Sequence, residues 1–162
     1  MTSEKINLVQ FINQQKLSEA LTIKEVQTFL DYTEVVTFNQ NEIIADIGEV
    51  GEALYFVIKG NTILYHEDAG EETEVGQGSS GELMGEMSFF DRKPRSVRIK
   101  ATENDTQLLK LSRTMYNRIR IEHPFIAVCI LEHAIVSLDM LFRRVSSDVA
   151  TYSHYLYGKG KH

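Results

Sequence analysis

The sequence predicts an α+β protein in which an antiparallel β jelly-roll barrel (a double-stranded β-helix) is flanked by N-terminal helices and a long C-terminal helix. Short β-rich runs separated by turn residues recur at a spacing of roughly 8–12 residues in the middle of the chain, as in small barrels. Helical periodicity replaces this pattern on both sides. We therefore expect one structural domain made of N-terminal helices (1–34), a barrel core (35–111) and C-terminal helices (112–162).

The N-terminal part ends in a short amphipathic helix. Thr22 followed by Glu25 forms a capping-box signal, which predicts that this helix begins just after Thr22. Helical spacing predicts that it buries Ile23, Val26, Phe29 and Leu30.

The barrel strands are predicted from apolar or β-branched runs that end at glycine, asparagine or charged residues. These runs are VVTF, EIIA, ALYFVIK, TILYH, SVRIKA and QLLKL. A glycine-rich stretch with Gly76, Gly78 and Gly81 lies between the fourth and fifth runs. It is either a flexible loop or part of a binding site.

A long helix beginning at Pro124 is predicted for the C-terminal part, because proline suits the first helical position. A heptad stripe runs along it through Val128, Leu131, Ile135, Leu138, Phe142, Val145, Val149, Tyr152 and Leu156. A second stripe consists of Ala127, Ile130, Ala134 and Leu141. The second stripe could pack against the barrel, which would leave the heptad stripe free to form a homodimer. The alternative is that the whole helix packs on its own barrel.

Composition excludes several function classes. The chain has 17 Lys and Arg against 23 Asp and Glu, a net charge of −6, so we expect no nucleic-acid partner. The cations around residues 92–100 are then a solvated face, with a nucleic-acid patch as the alternative. Cys129 is the single cysteine and no histidine pair has metal-ligand spacing, so we expect no disulfide within the chain and no metal site. Because no catalytic set is recognisable, the sequence indicates a binding module and no enzyme.

The cellular compartment is predicted from hydropathy. The sequence has no uninterrupted apolar run of about 18 residues and no signal-peptide pattern at its start. We therefore expect a cytoplasmic protein without a membrane partner.

The segment from Gly76 to Ala101 carries the chemistry. Gly85 permits close approach of a ligand to the backbone, and residues 86–90 can form one helical turn. Arg95 offers a planar fork suited to phosphate, and Glu86 can accept from a hydroxyl. This combination predicts a pocket for a small ligand that bears phosphate.

Gly85-Glu86-Met87-Ser88, followed nine residues after Glu86 by Arg95 within Pro94-Arg95-Ser96, resembles the phosphate-binding cassette of cyclic nucleotide-binding domains. The resemblance covers roughly residues 20–145, including the long helix opened by His123-Pro124, as in bacterial regulators of the catabolite-activator type. The earlier pair Gly81-Glu82 lies too far from Arg95 to be the cassette.

The resemblance implies a role for each cassette residue. Arg95 would pair with the phosphate and Glu86 would accept from the ribose 2′-hydroxyl. The backbone at Gly85, Glu86, Met87 and Ser88 would line the phosphate, and Ser96 would close the site. The base would be covered from the C-terminal helix, with Leu131, Ile135 and Leu138 as candidates.

The function implied is a cofactor-free sensor of cAMP or cGMP, with cAMP the first choice. It would act through homodimerisation or through an unknown downstream protein partner. Two alternatives stay open: Glu86 and Arg95 could form a structural ion pair, and the barrel could be a ligand-independent scaffold for protein–protein assembly.

Overall fold

A computed structural model describes residues 3–15 and 19–158 of the chain. Helix α1 spans Ser3–Asn13 and helix α2 spans Ile23–Asp31. The capping box predicted at the start of α2 is confirmed: the Glu25 amide donates to Thr22 Oγ1 at 3.2 Å, and the Thr22 amide donates to the Glu25 carboxylate at 2.6 Å.

The apolar face predicted for α2 is correct except at its first residue. Val26, Phe29 and Leu30 are buried, but Ile23 is 58% exposed. A helical side chain covers the turn N-terminal to its own Cα. Because Ile23 is the first residue of α2, its side chain extends past the end of the packed face.

The middle of the chain forms two four-stranded antiparallel sheets. Their strands are β1 (Glu34–Phe38), β2 (Ile43–Ala45), β3 (Ala53–Lys59), β4 (Thr62–Asp68), β5 (Glu71–Gly78), β6 (Leu83–Met84), β7 (Arg98–Ala101) and β8 (Thr106–Ser112). One sheet has the order β1-β8-β3-β6 and the other β2-β7-β4-β5. With the flanking helices, this arrangement confirms the predicted jelly roll.

The interpretation of the glycine-rich stretch as a loop is wrong for two of its glycines. Gly76 and Gly78 lie in β5, where they pair with Leu64 and Thr62 of β4. A Cβ at Gly78 would lie 2.5 Å from Thr62 Oγ1 and 2.6 Å from the sulfur of Met84. Glycine at this position therefore lets β4, β5 and β6 approach one another closely.

Three helices complete the chain: α3 (Glu86–Asp91), α4 (Arg113–Glu122) and α5 (Pro124–Tyr157). A hydrophobic core fills the space between the two sheets, with Val57, Ile99 and Leu108 among its members. A second core lies under the helices, where it joins Leu54, Phe56, Leu109 and Leu111 of the first sheet to Phe29, Ile119 and Ile130. This second core fixes the beginning of α5 to the barrel.

Helix α5 divides its two apolar stripes as predicted. Ala127, Ile130 and Ala134 are buried against the barrel, and Leu141 is half-buried. The heptad stripe is exposed apart from the half-buried Leu138, and every residue from 142 to 157 is exposed. The distal half of α5 therefore presents an apolar stripe to its surroundings.

The hydropathy of α5 qualifies the expectation that no segment could cross a membrane. The helix contains an 18-residue window with a mean hydropathy of 2.0, of which 28% is buried in the protein. By length and composition alone it is able to span a bilayer. Since core helices of soluble proteins meet the same criterion, one such helix is weak support for a membrane role.

Candidate functional site

Helix α3 begins at a left-handed turn. Gly85 is its N-cap residue with φ of 82°, a conformation that glycine adopts without a steric penalty. The helix then runs from Glu86 to Asp91, which confirms the helical turn predicted from the sequence. This turn places the Glu86 side chain inward and the Met87 side chain outward.

The backbone of Arg95 is bonded to the loop that leads into β3. Its amide donates to the Glu49 carbonyl at 2.8 Å, and its own carbonyl accepts from the Gly48 amide at 2.9 Å. These two bonds fix the segment after α3 beside the loop that leads into β3. The guanidinium then enters the space between that loop and the start of α3.

Two glycines make room for the Arg95 guanidinium. A Cβ at Gly51 would lie 2.9 Å from Nη2, and a Cβ at Gly85 would lie 3.3 Å from both terminal nitrogens. Nη1 donates a long hydrogen bond of 3.4 Å to the Gly85 carbonyl. The half-buried guanidinium is therefore enclosed by backbone.

The guanidinium of Arg95 forms no ion pair with the residues that the structure describes. Within residues 3–15 and 19–158, none of the ion pairs includes Arg95. Burial lowers the pKa of Arg95, and Tyr55, Glu49 and Glu86 oppose that shift only through longer-range attraction. The alternative of a structural Glu86–Arg95 ion pair is therefore wrong. A half-buried cation of this kind favours an anion from outside.

Glu86 is the buried acceptor of the site, with 8% of its surface exposed. Its Oε1 accepts a hydrogen bond of 2.9 Å from the hydroxyl of Ser137, which lies on α5. Burial raises the pKa of Glu86, while bonds from its own amide and from Ser137 and the attraction of Arg95 lower it. The carboxylate is thus held at an energetic cost, which is typical of functional acidic groups.

Ser88 fixes the shape of the turn. Its hydroxyl accepts from the Gly51 amide at 2.7 Å and donates to the Lys93 carbonyl at 2.6 Å. These bonds tie α3 to the segments on both sides of it. The hydroxyl is therefore fully used within the protein, and only the backbone of Ser88 is left to face a ligand.

The two remaining predicted site residues, Met87 and Ser96, are exposed. Met87 is 57% exposed, and Ser96 is exposed with its carbonyl 3.3 Å from Nδ1 of His66. The structure thus brings Gly85, Glu86, Ser88 and Arg95 together, with Met87 and Ser96 at the border.

Two functional candidates were missed at the sequence level. Arg113, the first residue of α4, donates through Nη2 to the carbonyls of Gly51 and Phe89. It therefore joins α4 both to the loop before β3 and to α3. Ser137 is the residue of α5 that bonds Glu86. Of the proposed base-covering residues, Leu131 and Ile135 are exposed and Leu138 is half-buried. The base-covering candidates were predicted from apolar residues of α5, and that pattern gives no indication of Ser137.

A cavity of about 480 Å³ opens on one side of Arg95. Ala45, Ala53, Tyr55, Lys110 and Ser112 are among its lining residues. Tyr55 also packs against the core between the sheets, so the cavity borders that core. Its volume is in the range of small-molecule sites.

Two of the cations after α3, Arg98 and Lys100, form ion pairs within the barrel. Arg98 pairs with Asp46 at 2.7 Å and with Glu67 at 2.8 Å, and Lys100 pairs with Glu72 at 3.0 Å. These contacts raise the pKa of Arg98 and lower the pKa of Asp46 and of Glu72. The two cations that alternate along β7 are therefore engaged in a surface network, as in the solvated-face interpretation.

Comparison with known proteins identifies the family of the fold. The family model described as cyclic nucleotide-binding domain matches residues 35–123, which is more than half of the chain. The chain belongs to the cyclic nucleotide-binding domain family.

Curated relatives of this cyclic nucleotide-binding domain include a bacterial and a fungal protein. It is 35% identical over 112 residues to the cyclic AMP receptor protein of Thermus thermophilus, with 68% of this chain and 51% of the relative covered. It is 33% identical over 115 residues to lysophospholipase NTE1 of Pyricularia oryzae, with 70% of this chain and 7% of the relative covered. The domain therefore spans about half, or a small part, of these relatives.

A solved structure supports the same membership. The catabolite activator protein of Thermus thermophilus superposes with a TM-score of 0.71 and 29% identity, over 86% of this chain and 65% of that one. The likeness extends beyond the family-model match and includes helices on either side of the barrel.

Proposed function

We propose that this chain is a non-catalytic sensor of a purine 3′,5′-cyclic nucleotide, cAMP in first place and cGMP in second, which signals as a homodimer to a downstream protein. The observation that carries the proposal is the Arg95 guanidinium, half-buried between two glycines and without an ion pair among the described residues. A cyclic phosphodiester has one negative charge, which matches this single cation.

The role of Glu86 in the proposal follows from its position. Its buried carboxylate accepts a hydrogen bond from one hydroxyl, that of Ser137. A ribose 2′-hydroxyl is the same kind of donor, and a carboxylate is an acceptor-only group that recognises it well. The nucleotide would therefore place its phosphate at Arg95 and its ribose at Glu86.

Relatives support the choice of cAMP. The Thermus protein that is 35% identical to this chain is named a cyclic AMP receptor protein. The Gly85–Ser88 sequence and Arg95, on which the resemblance to the family rests, are all present here. We infer the same ligand class and leave the discrimination between adenine and guanine to experiment.

Homodimerisation is supported by the heptad stripe of α5. Its side chains from Phe142 to Leu156 are exposed, whereas the other stripe is used for packing on the barrel. Heptad spacing over several turns is typical of a helix that pairs with another copy. The same stripe also favours the second candidate function, a ligand-independent assembly scaffold.

The test is calorimetric titration of nucleotide-stripped protein with cAMP, cGMP and 5′-AMP. We expect one cyclic nucleotide to bind in preference to 5′-AMP. Arg95→Ala should weaken that binding at least tenfold, because a hydrogen-bonded contact to a charged group contributes about 1.5–3 kcal/mol. Lys93→Ala is the matched control, since Lys93 is exposed two residues away. A folded protein that binds none of the three ligands would support the scaffold instead.

A further inference from the structure

The cavity beside Arg95 is bounded by residues that the nucleotide proposal does not use. Its volume is about 480 Å³, and Arg95 is the only cassette residue among the described residues that line it. The others come from β2, the loop 46–52, β3, the end of β8 and the start of α4. The cavity therefore contacts the Arg95 side chain without contacting residues 85–88.

Two paired strands make this end of the barrel interior polar. On β8, Leu108 belongs to the core between the sheets, and alternate residues of a strand share a face, so Lys110 and Ser112 lie on the same inward face. On β3, Tyr55 pairs with Lys110 and Ala53 with Ser112. The inward face thus changes from packed apolar side chains to a cation and two hydroxyls, all of which line the cavity.

Small side chains leave the space open. Ala45 and Ala53 are buried and present only a methyl group where β2 and β3 border the cavity. Ile44 and Val50 add apolar surface to the lining. An apolar group of a ligand would therefore find a surface against which to be buried, as in most small-molecule sites.

The charges of the lining favour one negative charge on the ligand. Three cations and two carboxylates give a formal charge of +1: Arg95, Lys110, Arg113, Glu49 and Glu52. Arg113 pairs with Glu52 at 3.1 Å. Lys110 pairs at 3.3 Å with Glu34, whose side chain is 64% exposed, and an exposed pair of this kind contributes little. Arg95 forms no ion pair with the described residues, so a monoanion complements the cavity.

Hydroxyl donors lie beside these charges. The Tyr55 hydroxyl has no hydrogen-bond partner among the described residues, and since no buried polar side-chain atom there lacks a partner, it is accessible to a ligand. Burial lowers the pKa of Arg95 and Tyr55 opposes that shift, so the two side chains are neighbours. Ser112 Oγ accepts from the Met115 amide at 3.3 Å, which leaves the serine proton available for donation.

We propose that this cavity is a second binding site, for a small organic monocarboxylate with an apolar body. The carboxylate binds beside Arg95 and Tyr55, with Lys110 adding attraction, and the apolar body lies against Ala45 and Ala53. A carboxylate matches the planar fork of arginine. The site goes beyond the proposed sensor function and shares only Arg95 with it.

The experiment follows ¹H–¹⁵N chemical shifts of the protein during titration with benzoate, benzyl alcohol and acetate. Benzyl alcohol has the apolar body without the charge, and acetate has the charge without the apolar body. We expect benzoate to bind at least tenfold more tightly than either probe, because both contacts contribute. Equal binding of benzoate and benzyl alcohol, or no binding of benzoate to the folded protein, would overturn the proposal.

Two variants locate the benzoate site. Lys110→Gln removes the charge and Tyr55→Phe removes only the hydroxyl, and each should weaken benzoate about three- to tenfold while leaving the affinity for cAMP unchanged. Lys59→Gln is the matched control, since Lys59 forms an exposed ion pair with Asp105 on the same sheet and does not line the cavity. It should change neither affinity.

The outcomes separate this site from the nucleotide site. Benzoate binding that neither Lys110→Gln nor Tyr55→Phe weakens would overturn the proposal. If Lys110→Gln weakens cAMP as much as benzoate, the cavity is part of the nucleotide site and the second site is refuted. Benzoate binding that depends on Lys110, in a protein that binds neither cAMP nor cGMP, would refute the proposed sensor and support the second site.

Discussion

Arg113 and Phe89 touch each other twice: the guanidinium carbon lies 4.3 Å from the centre of the Phe89 ring, and Nη2 donates to the Phe89 carbonyl at 2.7 Å. The same guanidinium pairs with Glu52 at 3.1 Å. One side chain at the start of α4 thus holds both the end of α3 and the segment that leads into β3. The cassette and the C-terminal helices are mechanically joined through this residue.

Replacing Arg113 by lysine should loosen the cassette, because lysine keeps the charge but lacks the planar fork and the stacking surface. We expect the free energy of unfolding in urea to fall by about 1–2 kcal/mol and nucleotide affinity to fall with it. Arg143→Lys, in an exposed pair with Asp139 on α5, should change neither quantity. Equal behaviour of the two variants would contradict the bracing role.

Gly51→Ala should disturb the site by steric crowding alone. The new methyl group would lie 2.8 Å from the Phe89 amide nitrogen and 2.9 Å from Arg95 Nη2, so α3 or the guanidinium must move. We expect a loss of stability of about 1–3 kcal/mol and weaker nucleotide binding.

Gly70→Ala is the control for that variant. Gly70 has φ of 83° but nothing within 4 Å of an added Cβ, so only backbone strain is introduced, far from the cassette. Thermal melting should detect a cost of about 1–2 kcal/mol with unchanged nucleotide affinity. If Gly51→Ala binds nucleotide as tightly as Gly70→Ala does, the crowding argument is refuted.

Glu86→Gln should stabilise the ligand-free protein at neutral pH while it weakens nucleotide binding. Burial raises the pKa of Glu86 above its ordinary 4.5, so the ionised carboxylate carries a desolvation cost in the folded protein. Since the pKa is higher in the folded than in the unfolded chain, this cost is present at neutral pH and is relieved on acidification through the raised pKa. The difference in melting temperature between variant and wild type should therefore shrink as pH falls. A constant difference between pH 7 and pH 4 would contradict it.

Phe142→Glu should prevent homodimerisation. Phe142 belongs to the heptad stripe and is 71% exposed in the single chain, so a charge there would be buried in a helix pair. Met140→Glu places the same charge on an exposed residue outside that stripe. Light scattering after gel filtration should give a monomer mass for Phe142→Glu and a dimer mass for Met140→Glu and the wild type. A monomeric wild type would remove the dimer from the proposal.

Sequence patterns were sufficient for features that depend on neighbours along the chain. The Thr22–Glu25 capping box, the start of α5 at Pro124 and the helical turn over 86–90 depend on residues a few positions apart, and all are confirmed. The division of α5 into a packed and an exposed stripe also follows from spacing, because a helix repeats every 3.6 residues.

Features that depend on the partner strand or on distant segments were beyond those patterns. Strand β5 has a mostly exposed, polar sequence, so its pairing with β4 leaves no alternation of apolar residues to detect. The Ser137–Glu86 bond joins two helices through a single hydroxyl, and no local signal distinguishes Ser137 from Ser146.

The part of α5 beyond Ser137 projects away from the barrel core. Its twenty residues from 138 to 157 extend about 30 Å at a rise of 1.5 Å per residue, without a buried residue along the way. A tilt of about 10° of this segment at Ser137 would move its far end by about 5 Å. A small change in the angle of α5 at the barrel would thus become a movement large enough for another protein to recognise.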